Sequence, residues 1–138
     1  MMAAVTMPSL MMLIVVAAGG AIGAVIRYLV SLWVGAGLFG ISGPLATLAV
    51  NIVGCGLMGM LAGAVAGGML LPEAWRGFVA VGLLGALTTF SSFALDAGNL
   101  IQRQGILTAG AYVAASVLIS LLVFALAFAL MRSFMGAQ

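Results

Sequence analysis

Gly85-Ala86-Leu87-Thr88-Thr89-Phe90-Ser91-Ser92-Phe93 packs four hydroxyls and two aromatic rings into nine residues, in the middle of a stretch without charge from residue 77 to 95. Those 19 uncharged residues are close to the ~20 that a helix needs to cross a bilayer. A spanning helix with a polar centre is not smooth. Gly82 and Gly85 loosen the preceding turn, and Thr and Ser side chains can satisfy backbone groups that a break releases. The segment therefore predicts a transmembrane helix, third in the chain, with a discontinuity near Gly85 to Thr89 at mid-membrane.

The rest of the chain is built for the same solvent. Of 138 residues, 66% are hydrophobic and 4% charged, and mean hydropathy is +1.41. A soluble domain carries roughly a quarter charged residues, so a soluble globule is excluded, as is a nucleic-acid binder resting on a dense basic face. With four Arg, one Glu and one Asp, the net charge of +2 serves as a topology marker and not as a sign of acidic partners. The chain has no His and a single Cys, Cys55, which excludes Ser-His catalysis, His-ligated haem, a zinc hydrolase and an internal disulfide. The lone Asp leaves no aspartyl dyad within a chain.

Taken as boundaries, the charges leave further uncharged stretches at 1–26, 28–72 and 104–131. The middle one is too long for one span and is divided by the Gly-rich run Gly35, Gly37, Gly40, Gly43, Pro44, read as a loop. The expected spans are about 8–34, 44–71, 75–101 and 106–131, forming one transmembrane domain with both termini on one side. The first segment lacks Lys or Arg ahead of its apolar run and is read as a retained helix, not a cleaved signal. Glycines recur at four-residue spacing, at Gly19 and Gly23 and at Gly59, Gly63 and Gly67, and mark close helix packing.

Polar side chains within the spans are ordered. Thr47 and Asn51 are four apart on the second helix, and Tyr112, Ser116 and Ser120 step by four along the fourth, so each set lies along one face. A buried Asn amide carries two N–H donors and a carbonyl, so it requires partners or a ligand. Phe90 and Phe93 share a face, and the positive edge of an aromatic ring can meet an anion. Two such faces would make a narrow track of donors without fixed charge.

Three ordered blocks carry a resemblance: Gly19-Gly20-Ala21-Ile22-Gly23-Ala24 leading to Arg27-Tyr28, then Thr47-Leu48-Ala49-Val50-Asn51-Ile52-Val53-Gly54, then Gly85 to Phe93. Together they resemble the small Fluc-type, CrcB-like fluoride channels across all four spans. The resemblance implies a passive fluoride channel of the inner (plasma) membrane that exports fluoride to relieve its toxicity. It implies an antiparallel, dual-topology homodimer with two pores. By the same resemblance, Asn51 donates to fluoride, and the ring edges of Phe90 and Phe93 line the pore, each pore taking its two rings from different subunits. Thr47, Ser116 and Ser120 form the polar track, with Tyr112 at one end and Arg27 at the aqueous entrance. A structural sodium ion would be held at the dimer centre by main-chain carbonyls of Gly85 and Thr88. Two positions depart from the pattern: Cys55 stands where Ser is expected, and Asp96 where a longer Glu is common. The rival transport reading, a small four-helix drug or cation exporter, needs a carboxylate inside a span to couple protons. A non-transporting assembly subunit would explain the glycines but not the hydroxyl stripes.

Overall fold

A computed structural model describes residues 9–37 and 42–137. All regular structure among them is helical. Helix α1 is Leu10–Gly37 and α2 is Ser42–Ala66; α3 covers residues 73–87, α4 is Phe90–Gln104 and α5 is Ile106–Gly136. Four helical segments are long and apolar enough to cross a membrane: Leu10–Val34, Gly43–Ala66, Glu73–Gln104 (α3 and α4 together) and Ile106–Gly136. The expected start at residue 8, and residues 38–41 of the expected Gly-rich loop, lie outside the described residues. Gly35 and Gly37 belong to α1, and Gly43 and Pro44 to α2. Pro44 is tolerated there because first-turn N–H groups have no partner within a helix.

Helix α2 ends at Ala66, short of the expected residue 71, because Gly67 and Gly68 terminate it. Gly68 adopts φ +108°, which L side chains rarely take. The reversed chain closes the helix with Met69 N donating to Ala64 O at 3.0 Å and Gly68 N to Val65 O at 3.1 Å. Gly105, at φ +91°, makes the sharp turn between α4 and α5. The fourth span continues through Arg132 to Gly136.

Helix α1 packs mainly along α3, and α2 mainly along α5. The glycine spacings mark both contacts. A Cβ at Gly23 would collide with the Leu83 carbonyl, and one at Gly63 with the Phe128 carbonyl. Bare backbone is what lets these helices approach. The buried cluster of Val50, Leu84 and Leu87, with Val30, Met58, Val79 and Leu83 around it, fixes the end of α3 against α1 and α2. Within α3, residues Gly77–Leu84 wind as a π-helix, which the sequence reading did not anticipate. Such windings concentrate at functional sites.

Candidate functional site: a broken helix between two cavities

Helical conformation stops after Leu87. Thr88 (φ −80°, ψ 152°) and Thr89 (φ −151°, ψ 126°) are extended, and helix resumes at Phe90. Sixteen residues run from Glu73 to Thr88 and sixteen from Thr89 to Gln104, so the interruption halves the third span. Missing one turn of the i→i−4 ladder frees the carbonyls of residues 85–88 and the amides of residues 89–92.

Side chains repair part of this. Asn51 of α2 takes Thr89 on both sides, accepting from its N–H at 2.8 Å through Oδ1 and donating to its carbonyl at 3.1 Å through Nδ2. The pairing fixes the amide orientation and uses one of the two Nδ2 hydrogens. Thr89 caps α4 by accepting from Ser92 N at 3.2 Å. Thr88 folds its hydroxyl back onto Leu84 O at 3.0 Å, where its own N–H also donates. Gly54 makes room for this arrangement, since a Cβ there would run into the Thr88 methyl. The Asn-x-x-Gly spacing thus serves successive residues of the break: Asn51 holds Thr89 and Gly54 admits Thr88.

Two cavities flank the break. A larger one, about 460 Å³, is bordered by Asn51, Thr89, Phe90, Phe93, Ser116 and Ser120, with Cys55, Gly85 and Thr88 also on its wall. Ser116 and Ser120 are 5% and 8% exposed, and neither hydroxyl has a hydrogen-bond partner among the described residues. With Ala109 they are the buried residues of α5, so the face it turns inward carries hydroxyls where a packing helix would carry Leu. Unpaired buried hydroxyls are costly, which makes this wall a place for a ligand that accepts hydrogen bonds. Phe90 and Phe93 lie 5.4 Å apart by ring centroid, but Phe93 is 9% exposed and Phe90 79%. One ring faces into the chain and the other away from it.

The second cavity, about 230 Å³, is bordered by Arg27, Tyr28, Ser31, Thr47, Thr89 and Ser92. Thr89 borders both cavities, so the Asn51–Thr89 pair stands in the wall between them. Thr47 and Asn51, expected on one continuous track, therefore open on different cavities. Thr47 donates to Asp96 Oδ2 at 2.6 Å, which joins the start of α2 to α4 and gives Asp96 a partner that spacing did not reveal. Arg27 lies on the same wall, with its Nε buried and unpaired among the described residues. Tyr112 borders neither cavity. Its ring lies 5.6 Å from Phe93 and its hydroxyl is buried without a partner among the described residues.

The pattern of the family described as CrcB-like protein, Camphor Resistance (CrcB), matches residues 14–128. The chain belongs to that family. It is 49% identical over 109 residues to "Fluoride-specific ion channel FluC" of Rhodospirillum centenum, covering 79% of this chain and 86% of the relative. It is 47% identical over 108 residues to "Fluoride-specific ion channel FluC 1" of Nitrobacter hamburgensis, covering 78% and 85%. To "Fluoride-specific ion channel FluC" of Rhizobium johnstonii it is 42% identical over 120 residues, 87% of this chain and 95% of the relative. With its four apolar spans, this member of the CrcB-like family is a multi-pass membrane protein. The family match begins in α1 and ends in α5, so it takes in both cavities and the interrupted helix between them.

Proposed function

We propose that two copies of this chain, inserted in opposite orientations, form a passive fluoride-selective channel with two pores in the inner membrane, and that it exports fluoride to relieve its toxicity. The observation that carries this reading is the larger cavity, where unpaired Ser116 and Ser120 hydroxyls and the Asn51 amide meet aromatic rings and no fixed charge. Fluoride is small, hard and strongly hydrated, so it leaves water only where several donors replace the shell. Hydroxyl and amide donors do so without a buried cation, which would hold the anion too tightly for conduction. Asp96 does not border this cavity and is engaged by Thr47, which weighs against a proton-coupled exporter working through it.

The opposed exposures of the rings suit a dimer. Phe93 lines its own chain's cavity, and the outward Phe90 is available to a pore shared with the partner. Arg27 and its smaller cavity would form the aqueous vestibule, with the Asn51–Thr89 pair at the constriction near mid-membrane. Sodium fits the same break. Thr89 N and Ser92 N, the usual helical donors to Gly85 O and Thr88 O, go instead to Asn51 and to the Thr89 hydroxyl, leaving two carbonyl oxygens free for a cation. Sodium held there would neutralise the carbonyl dipoles of two facing chains.

Efflux from liposomes containing the purified protein tests the reading: fluoride leaves rapidly while chloride stays, without ATP or a proton gradient. Equal rates for the two halides would sink it.

A further inference from the structure

Asp96, the chain's single Asp, stands half-buried on α4 within the third span. A carboxyl group there is expensive unless it is engaged, and both of its oxygens face α2. Oδ2 accepts from the hydroxyl of Thr47, itself 8% exposed, at 2.6 Å, the length of a charge-assisted O–H···O bond. Oδ1 lies against the first turn of α2: a Cβ on Gly43, the second residue of that helix, would stand 3.0 Å from it. That turn has no acidic residue of its own, and Pro44 offers no N–H. The group that complements the positive end of α2 therefore comes from α4.

A second link joins the same two helices. Asn51, one turn after Thr47, holds Thr89, the N-cap of α4. Thr89 precedes Asp96 by seven residues, about two turns, so both links connect one face of α2 to one face of α4. Helix α2 packs mainly along α5 and meets α4 over few residues. Its rotation against the start of α4 therefore rests largely on these polar links, and neither Thr47 nor Asp96 borders the larger cavity.

We propose that Asp96 is a positioning residue of the fluoride pathway: through Thr47 and the first turn of α2 it sets the height at which Asn51 meets Thr89, without itself contacting the ion. The proposal rests on the fluoride reading of the larger cavity and adds what keeps the Asn51 amide in register with it. A slip of α2 by one residue moves Asn51 by about 1.5 Å along the axis and 100° around it, which takes its amide off Thr89 and out of the cavity wall. Gly43 is the matching half of the clamp, since a side chain there would crowd Oδ1.

Hydrogen exchange at the Thr89 amide reads the clamp independently of transport. Protein labelled with 15N-threonine and 15N-phenylalanine is followed in detergent, as parent and as Thr47→Val, Thr47→Ser, Asp96→Ala and the double variant Thr47→Val/Asp96→Ala. Thr47→Val and Asp96→Ala speed exchange of the Thr89 N–H about tenfold or more, the scale of one charge-assisted hydrogen bond. The amides of Phe124 and Phe128, where α5 packs on α2, keep the parent rate, which a global loosening would not allow. Thr47→Ser retains the hydroxyl and keeps the Thr89 amide near the parent rate. The double variant exchanges no faster than the quicker single one, because both substitutions cut the same link. Fluoride efflux from Thr47→Val and Asp96→Ala falls about tenfold in step. Parent-like exchange at Thr89 in these variants overturns the proposal, as do additive effects in the double variant, or parent-like efflux where the Thr89 amide is loosened. Thr47→Val keeps the shape of the parent side chain and decides alone if Asp96→Ala does not assemble. A parent protein that carries no fluoride refutes the channel reading itself, and the exchange rates still decide whether the clamp exists.

Discussion

Asn51 concentrates the chemistry at the residue scale, because its two bonds to Thr89 join a side chain of α2 to the interrupted backbone 38 residues away. Asn51→Asp keeps an acceptor for Thr89 N but sets a carboxylate oxygen against the Thr89 carbonyl and, on the proposed channel reading, a negative charge beside the anion. Fluoride efflux is expected to fall to the liposome background, and the protein to lose about 1–3 kcal/mol of stability, the range for one buried bond turned into an unsatisfied group. A fluoride electrode and thermal unfolding in detergent measure the two effects. Phe90→Ile likewise abolishes efflux, since an aliphatic side chain offers no polarised edge, yet leaves assembly intact on a size-exclusion column. Leu126→Ala, at an exposed position of α5, is expected to matter far less. Efflux at the parent rate from the Asn51 and Phe90 variants would mean the pore lies elsewhere. Thr47, bonded to Asp96, borders the smaller cavity with Arg27, and spacing along α2 could not tell that Thr47 and Asn51 serve different cavities.

At the scale of elements, the glycines divide by what they touch. A Cβ at Gly63 collides with the Phe128 carbonyl, whereas one at Gly20 meets nothing within 4 Å. Gly63→Ala therefore forces α2 and α5 apart and costs about 1–3 kcal/mol, seen as a lower unfolding temperature of the detergent-solubilised protein. Gly20→Ala is neutral or slightly stabilising, because alanine restricts the helix less unfavourably than glycine. Equal shifts for both variants would place the close α2–α5 contact in error. The recurrence of these glycines was legible in the chain, as were the four apolar segments and the polar centre of the third. The π-winding of Gly77–Leu84 was not, because nothing in a run of apolar residues distinguishes one helical pitch from another until neighbouring helices fix the backbone.

The whole molecule is governed by few charges. Arg76 and Arg132 fall on the side of the termini, and Arg27 and Arg103 on the other, so the arginines give no orientation bias. On the proposed reading, a chain without such a signal inserts both ways, which would supply an antiparallel homodimer with both halves. Reporter fusions at Gln138 are expected to report the C-terminus on both sides of the membrane. Adding two or three Lys after Met135 biases it to the cytoplasm and silences transport, and co-expression with a variant biased by Lys beside Arg103 restores it. One fixed orientation in the parent, with full activity of the Lys-biased variant alone, would exclude the antiparallel arrangement. Sodium belongs to the same scale. If the proposed dimer holds sodium at Gly85 and Thr88, its exhaustive replacement during purification is expected to weaken the dimer or stop efflux, because carbonyls of two chains would then face each other uncompensated; unchanged dimer stability and efflux would reject that site.

What the sequence determined by itself was the solvent, the number of spans and the inventory of polar groups available within them. Composition and the spacing of charges depend only on the order of residues, and periodicity assigns side chains to faces of a single helix. How those faces rotate against one another is set by packing. That Asn51 meets Thr89, that Thr47 turns to Asp96 49 residues on, and that Thr89 stands between two cavities were decided only in the tertiary structure. Each depends on close contacts at Gly23 and Gly63, against backbone, and at Gly54, against the Thr88 side chain, that fix the depth and angle at which helices meet. A one-residue change in that phase, about 100° on a helix, would leave every sequence pattern intact and take the donors out of the cavity.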